Sequence, residues 1–193
     1  MNYICKDLSI GIREMKDCIN DYNLMLDWLS NPVVLKYYEG LNSVFDLQNI
    51  IKKYRPRITG VESVVAYIIE ICDKPVGYIQ YYPIKSDEDY DLKGEITLDF
   101  SKTIYGLDLF IADETNRNCG FGTKTIKLIL NFLFKQKNAN KVFIDPQTWN
   151  IRAIKCYKKC GFKPIKVIEK RELCNGELKD SLIMCIAREE IIT

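Results

Sequence analysis

The chain has 193 residues, of which 47% are hydrophobic and 28% are charged, and its formal net charge is +2. These are the values of a globular protein with a substantial core, and so small a charge does not indicate a nucleic-acid partner. Histidine is absent, which excludes Ser-His-Asp triads, Cys-His dyads and histidine-based metal centres.

The first residues of the chain and its cysteines indicate in which cellular compartment the protein is expected. The first residues show no basic head followed by an apolar stretch, and no apolar run reaches the length needed to cross a bilayer. We therefore expect a cytoplasmic protein without membrane contact, in which the eight cysteines are reduced thiols. Cys156 and Cys160 are four apart, but no Cys-x-x-Cys pair is present, so we expect no metal site.

The first half of the chain predicts one strand, two helices and a β-hairpin. Apolar residues alternate at positions 8, 10 and 12, as in a strand, and recur at helical spacing over residues 21–28 and 46–54. Two β-rich runs, residues 64–72 and 76–82, are separated by a short turn and predict an antiparallel hairpin. A polar insertion over residues 85–103 follows.

The second half predicts a strand, a helix, a strand, a helix and a final hairpin. We expect strands at residues 105–112 and 142–145, and helices at 123–135 and 151–159, the second capped by Asn150. Because a helix separates the two strands, they should be parallel. The dipeptide Asn175-Gly176 predicts a hairpin between strands at 167–173 and 178–186.

The order of elements is therefore β, α, α, β, β, β, α, β, α, β, β. It predicts an α/β protein of the α+β type, with one domain over residues 1–193. We expect a mixed, mostly antiparallel sheet, helices on both faces and a single crossover from strand through glycine loop to helix. A doubly wound nucleotide-binding fold would need repeated β-α units from the start.

The loop Arg117-Asn118-Cys119-Gly120-Phe121-Gly122-Thr123 lies between a predicted strand and a predicted helix. Two glycines let the backbone approach a ligand, and the first N–H groups of the helix point towards it, so we expect a phosphate or pyrophosphate. The loop lacks the Gly-Lys-Ser/Thr ending of a P-loop, and Thr125 replaces the third glycine of a dinucleotide fingerprint. A tight turn without a ligand is the alternative.

A second block, residues 150–162, contains Asn-x-x-Ala, then Tyr157, then Gly161-Phe162. Together with Arg-x-x-Gly-x-Gly in the glycine loop, this block resembles the Gcn5-related N-acetyltransferases. Further segments, among them Tyr105-Gly106-Leu107-Asp108-Leu109-Phe110-Ile111 and Asp145-Pro146, are similar to the aminoglycoside 6'-N-acetyltransferases. The resemblance extends from about residue 24 to residue 186.

The resemblance implies acetyl-coenzyme A as the cofactor. Backbone amides of the glycine loop, helped by Arg117, would hold the pyrophosphate, and the backbone of Phe110 and Ile111 would pair with the pantetheine arm. The full set of expected cofactor residues is Phe110, Ile111, Arg117, Asn118, Cys119, Gly120, Phe121, Gly122, Thr123, Asn150, Ala153 and Tyr157.

Asp108 and Tyr157 are the expected catalytic residues. An acid within an apolar strand is costly unless something compensates it, and strand alternation places Asp108 on the face of Phe110, opposite Leu107 and Leu109. The resemblance implies that Asp108 binds the acceptor amine and acts as its general base, directly or through water. Tyr157 would donate a proton to the departing thiolate. Alternatively, Asp108 is a structural acid paired with a buried Lys or Arg.

By resemblance, the acceptor is a polycationic aminoglycoside, acetylated at its 6'-amino group by direct attack in a ternary complex, with antibiotic resistance as the result. Expected substrate-binding residues are Tyr37, Tyr38, Glu39, Gln80, Asp108 and Asp145. Asp145 is alternatively a cap of the turn that follows it. The acidic insertion would favour a cation, or is merely solvated; its acids are Asp87, Glu88, Asp89, Asp91, Glu95 and Asp99.

Three other interpretations remain open at this point. In the first, the acceptor is a different amine: a peptide N-terminus, a lysine or a siderophore precursor. In the second, Cys119 is a nucleophile in a two-step transfer and is activated by the helix N-terminus. In the third, the chain is a coenzyme A binding module without catalysis. Either a monomer or a homodimer is compatible with the sequence.

Overall fold

An eight-stranded sheet organises the protein in the computed structural model, which describes residues 3–86, 98–116 and 119–190. In chain order the strands are β1 Tyr3–Lys6, β2 Ile10–Glu14, β3 Val65–Ile71, β4 Lys74–Pro83, β5 Ile104–Ile111, β6 Lys141–Ile144, β7 Lys163–Cys174 and β8 Glu177–Ala187. Their spatial order is β1-β2-β3-β4-β5-β6-β8-β7. Within the described residues only β5 and β6 pair in parallel, so the predicted mixed, mostly antiparallel sheet is confirmed.

Helices cover both faces of the sheet, as predicted. They are α1 Ile19–Leu29, α2 Pro32–Leu35, α3 Leu47–Ile58, α4 Phe121–Lys135 and α5 Ile151–Lys159. The first three pack on one face, where Met25 and Tyr54 meet Tyr78 and Phe110. Helices α4 and α5 pack on the other face through residues such as Ile129. Among the described residues, no helix is both long enough and apolar enough to cross a bilayer.

The ends of the helices follow the chemistry of the sequence. The Asn150 side chain accepts a hydrogen bond from the backbone N–H of Ala153 at 3.2 Å, so the predicted cap of α5 is confirmed. Asp46 caps α3 in the same way, through the N–H of Asn49 at 2.7 Å. Gly120, immediately before α4, has a φ of 81°, a left-handed conformation that glycine adopts without steric cost. This turn brings the chain from the loop directly into α4.

Two elements were absent from the predicted order. Strand β1 has four residues without a clear apolar alternation, and α2 is a single turn that begins at Pro32. The first predicted strand was also placed too early, because Leu8 is exposed and β2 begins at Ile10. Both missed elements are too short to give a periodic signal.

Candidate active site

A cleft opens where β5 and β6 separate. Their last registered pair is Gly106 with Phe143, whereas β5 continues to Ile111. The side chains of a strand alternate between the two faces of the sheet, so a cavity on one face would be lined by every second residue. Consecutive residues line the same cavity only where that cavity lies along the edge of the strand. Five consecutive residues of β5 line the cleft: Leu107, Asp108, Leu109, Phe110 and Ile111. The separated edge of β5 is therefore available to an extended ligand.

The cleft has a volume of about 760 Å³, within the range of small-molecule sites. One half lies between the first turn of α4 and helix α5. The other half lies under α2 and α3, and ends at β6 and β7. The lining of this one cleft therefore comes from two groups of elements, one at the glycine loop and one around Asp108.

The glycine loop supplies one wall of the first half. Gly120, Gly122 and Thr123 line the cleft at the start of α4, where the first backbone N–H groups of a helix lack intrahelical partners. A Cβ built on Gly120 would have nothing within 4 Å, and one built on Gly122 would lie 3.6 Å from Cys156 Sγ. Both backbones are thus open on the ligand side, which fits the close approach of a pyrophosphate.

The other four residues predicted to bind the cofactor from this loop are either outside the described residues or have side chains that do not line the cleft. Arg117 and Asn118 lie outside the described residues. Cys119 is exposed, and the ring of Phe121 packs against the core, so neither side chain lines the cleft. The backbone N–H groups of these residues were predicted to hold the pyrophosphate, and this role stays a prediction. The cleft geometry gives no support to Cys119 as a nucleophile.

Helix α5 forms the opposite wall of this half. Asn150, Ala153 and Tyr157, which the resemblance assigned to the cofactor, all line the cleft. Their contact with the cofactor stays a prediction. Because the Asn150 oxygen caps the helix, the amide nitrogen is the end of that side chain available to a ligand. Three cations on this helix also line the cleft: Arg152, Lys155 and Lys159. Their charge suits an anionic cofactor.

Gly122→Ala tests this fit. Inside the helix the new methyl group would meet Cys156 Sγ and Ile111 Cδ1, both at ordinary van der Waals distances, so thermal stability should be unchanged or slightly higher. The methyl group would occupy the space through which the cofactor approaches the backbone. We expect coenzyme A to bind about tenfold more weakly, or about 1.4 kcal/mol, by calorimetric titration. Unchanged affinity would argue against a cofactor at this turn.

Asp108 lies at the centre of the second half. Its Oδ2 accepts a hydrogen bond from Gln80 Nε2 at 2.6 Å, directly across β4 and β5. Leu107 and Leu109 pack towards α4 and Phe110 towards α1 and α3, as strand alternation predicted. Burial raises the pKa of Asp108 to about 6, although the Gln80 bond opposes the rise. The partner of this acid is a neutral amide, and not the Lys or Arg of the alternative interpretation.

Asp145 follows β6 and lines the same half of the cleft. Its Oδ2 lies 3.3 Å from Arg171 Nη2, a partner that differs from the turn cap considered above. Burial, and then the charge of Asp108, raise the pKa of Asp145 to about 7, against the effect of Arg171. Two carboxyl groups with raised pKa values therefore share one cavity, a common property of functional sites.

The other predicted substrate residues also lie in the cleft: Tyr37, Tyr38, Glu39 and Gln80. Tyr37 stacks on Trp149 with ring centroids 5.0 Å apart, so it joins the turn after α2 to the loop before α5. Tyr38 meets Phe110 edge to face at 4.8 Å. Glu39 forms an ion pair with Lys53 of α3.

Tyr157 reaches the cleft from α5 and is 8% exposed. Its ring lies 6.0 Å from that of Phe162, between centroids. Burial raises the pKa of Tyr157 far above the usual value for a phenol. The hydroxyl is therefore protonated near neutral pH and is chemically a proton donor there.

Sequence reasoning missed four charged residues around Asp108. Lys53, Arg57, Arg171 and Glu172 line the cleft or bond to residues that do. Arg57 had a detectable signal, because it follows Tyr54 by three positions and Ile50 by seven, which puts it on the buried face of α3. Arg171 and Glu172 come from the distant hairpin of β7 and β8, for which no local pattern exists.

The acidic insertion is only partly accounted for. Asp87, Glu88, Asp89, Asp91 and Glu95 lie outside the described residues. Asp99 is exposed and accepts a hydrogen bond from the backbone N–H of Ser101 at 3.1 Å. Its position is that of a solvated turn residue, and the role of the insertion stays a prediction.

Comparison with known proteins assigns the class that this sheet, loop and cleft define. The sequence model of the acetyltransferase (GNAT) domain matches residues 17–170. The chain therefore belongs to the GNAT acetyltransferases. The predicted fold is confirmed, as is the prediction of acetyl-coenzyme A as cofactor.

Within this class the chain is similar to proteins named for aminoglycoside acetylation or for kanamycin resistance. It is 28% identical over 155 residues to an aminoglycoside N(6')-acetyltransferase type 1 of Klebsiella pneumoniae, covering 80% of this chain and 74% of the relative. A kanamycin resistance protein of Rhizobium radiobacter is 35% identical over 60 residues, covering 31% of this chain and 56% of that protein.

Solved structures share the fold over nearly the whole chain. The enzyme AAC(6')-Ib in complex with ribostamycin and coenzyme A has a TM-score of 0.76 and 25% identity, covering 95% of this chain and 96% of that one. A spermidine N-acetyltransferase from Vibrio cholerae, solved with coenzyme A and spermine, has a TM-score of 0.77 at 15% identity, covering 97% and 100%. The second likeness concerns the fold alone.

Proposed function

We propose that this protein transfers the acetyl group of acetyl-coenzyme A to the 6'-amino group of aminoglycosides, and thereby confers resistance to them. The observation that carries the proposal is Asp108, a carboxylate on the separated edge of β5 that lines the cleft. The relatives named for aminoglycoside N(6')-acetylation support the choice of acceptor. The carboxylates Glu39, Asp145 and Glu172 around Asp108 suit a polycation.

In the proposed mechanism the cofactor supplies an acetyl thioester, and the protein aligns the acceptor amine with it. The ammonium group of the acceptor binds at Asp108, which removes a proton and leaves a neutral nucleophile. As the new N–C bond forms and the C–S bond breaks, Tyr157 donates its phenolic proton to the sulfur. Acylation makes the amine nitrogen acidic, and its second proton restores the Tyr157 phenol, while Asp108 releases the proton it took to solvent. The step then balances, and no covalent enzyme intermediate is needed.

The pH dependence follows from the two raised carboxyl pKa values. Asp108 accepts a proton only when ionised, so kcat/KM should fall as the pH decreases through about 6 to 7. Because the two carboxyl groups interact, the acid limb reports apparent values of the pair. The 6'-amine of the acceptor also titrates and would add a second limb to the plot of kcat/KM against pH. The plot is therefore measured with two acceptors whose amines differ in pKa, so that the limb due to the enzyme can be recognised.

The proposal is tested by thiol release from acetyl-coenzyme A in the presence of matched acceptors. We expect turnover with an aminoglycoside that carries a 6'-amine and none with its counterpart that carries a 6'-hydroxyl. The product's acetylation site is read by NMR. Spermidine, lysine and a peptide with a free N-terminus complete the panel. Turnover confined to any of these three would replace the proposed acceptor with another amine.

Tyr157→Phe tests the role of the phenol. The substitution removes the proton donor and keeps the ring that packs near Phe162, so the fold and coenzyme A affinity should be preserved. We expect kcat to fall about tenfold or more, because positioned proton transfer is commonly worth at least that factor. Steady-state kinetics and calorimetric binding measure the two effects. A kcat equal to that of the unsubstituted enzyme would remove Tyr157 from the mechanism.

A further inference from the structure

A three-residue chain of hydrogen bonds joins α3 to Asp108. Gln80 is 7% exposed and lies opposite Asp108 in the sheet. Its Oε1 accepts from Arg57 Nη1 at 2.8 Å and from the Tyr78 hydroxyl at 2.8 Å. Its Nε2 donates to Asp108 Oδ2 at 2.6 Å.

Arg57, which can only donate, fixes which way the amide of Gln80 faces, and the Tyr78 hydroxyl adds a second hydrogen bond in that orientation. One end of a primary amide only accepts hydrogen bonds and the other end only donates them. If this amide were reversed, its NH₂ group would face the N–H of Arg57 and the hydroxyl of Tyr78. Its carbonyl oxygen would then face the Asp108 carboxylate. Unsatisfied or repulsive contacts of buried polar groups are costly, so one orientation is strongly favoured.

We propose that Arg57 is a positioning residue for the transfer reaction: with Tyr78 it holds Gln80 in the orientation that donates to Asp108, and its charge opposes the carboxylates around that side chain. Arg57 acts through Gln80 and does not need to touch the acceptor. The inference rests on the proposed role of Asp108 as general base. Neither the glycine loop nor the α5 motif involves this residue.

Arg57 is itself held in place. Its Nε lies 3.2 Å from Glu62 Oε2, and the Arg57 side chain is 16% exposed. The guanidinium carbon lies 5.3 Å from the centre of the Tyr54 ring. A planar group with several fixed donors suits this position, because it can bond to Glu62 and Gln80 at once. A lysine would keep the charge but would lose that geometry.

Charged side chains of both signs surround Asp108. Titratable side chains in this half of the cleft are Tyr38 and Glu39 beyond α2, Lys53 and Arg57 on α3, Tyr78 on β4, Asp145 beyond β6, Tyr157 on α5, and Arg171 and Glu172 on β7. Lys53 pairs with Glu39, and Arg171 pairs with Asp145. Arg57 lowers the pKa of Asp108, against burial and the charges of Glu172 and Glu39.

The first experiment measures the titration of Asp108 without any acceptor. The carboxyl carbon is followed by NMR in protein labelled with carbon-13 aspartate, and the signal is assigned by its loss in Asp108→Asn. In Arg57→Met we expect the midpoint to rise by about 1 to 2 pH units. Arg57→Lys should reverse part of the rise. Arg55→Met is the matched control, because Arg55 lies on the same helix with its side chain 62% exposed, and it should leave the midpoint unchanged.

The second experiment records kcat/KM against pH for the same variants. The acid limb of Arg57→Met should move upward by the same amount, while coenzyme A affinity stays unchanged. If Arg57→Met does not fold, Tyr78→Phe provides the test, since it removes one of the two donors to Gln80 and should give a smaller rise. A folded Arg57→Met or Tyr78→Phe whose Asp108 midpoint equals that of Arg55→Met would overturn the inference.

The two proposals fail in different ways. Absence of turnover with every 6'-amino acceptor would remove the proposed function and leave the Asp108 titration measurable. A normal titration in Arg57→Met with full turnover in the unsubstituted enzyme would remove only the role of Arg57.

Discussion

Replacing Asp108 with Asn is expected to reduce kcat about 10²- to 10⁴-fold, the range typical of a lost general base. The amide has nearly the same size as the carboxylate, and its oxygen still accepts the hydrogen bond from Gln80 Nε2, which spans 2.6 Å in the native protein. What it loses is the ability to take a proton from the amine. Coenzyme A affinity should change by less than about twofold, because the glycine loop proposed to hold the pyrophosphate lines the other half of the cleft.

Two further variants make this result specific. Asp27→Asn is the matched control, because Asp27 is exposed on α1, and its kinetics should equal those of the native enzyme. Asp145→Asn separates the two carboxyl groups: a substrate-binding role predicts a raised KM with a smaller loss of kcat. If Asp145→Asn showed the large loss of kcat and Asp108→Asn did not, the base would have to be reassigned to Asp145.

Features of the site that depend on local pattern were predictable from the sequence. Strand alternation was enough to place Asp108 opposite Leu107 and Leu109, and side-chain chemistry was enough to identify Asn150 as a helix cap. The glycine loop was recognisable because two closely spaced glycines directly before a helix are typical of an anion-binding turn. These properties involve residues a few positions apart, so the sequence contains them directly.

The contacts that adjust the site were not predictable in this way. Gln80 and Asp108 are 28 positions apart, and Arg57 and Gln80 are 23 apart. Their pairing depends on the register of β4 against β5 and on how α3 packs across the sheet. The ion pair between Arg171 and Asp145 depends similarly on the β7 and β8 hairpin. No periodicity in one segment specifies its partner in another, so such networks require the folded chain.

Strand β1 illustrates the same limit in the core, because long-range polar contacts hold it. The Tyr3 hydroxyl donates to Glu70 Oε2 at 2.6 Å, across 67 positions. Glu70 also accepts from Arg13 Nε at 2.7 Å. The edge strand is thereby attached to a buried charge network that the sequence did not predict.

Arg13→Met is expected to lower the free energy of unfolding by about 3 to 5 kcal/mol, the usual cost of removing one partner from a buried ion pair. Arg13 is 6% exposed, and its two terminal nitrogens bond to both oxygens of Asp21 at 2.7 and 2.9 Å. Without the guanidinium, the carboxylates of Asp21 and Glu70 stay buried and repel each other. Guanidinium chloride unfolding, followed by circular dichroism, measures the change.

Arg55→Met is again the matched control, since the substitution is the same but Arg55 forms an exposed pair with Asp17 at 3.1 Å. Exposed pairs contribute about 0 to 1 kcal/mol, so this variant should unfold close to the native midpoint. Adding Asp21→Asn and Glu70→Gln to Arg13→Met removes the unpaired charges and should recover part of the loss. If Arg13→Met were as stable as Arg55→Met, the network that ties β1, β2, β3 and α1 together would contribute nothing measurable to the fold.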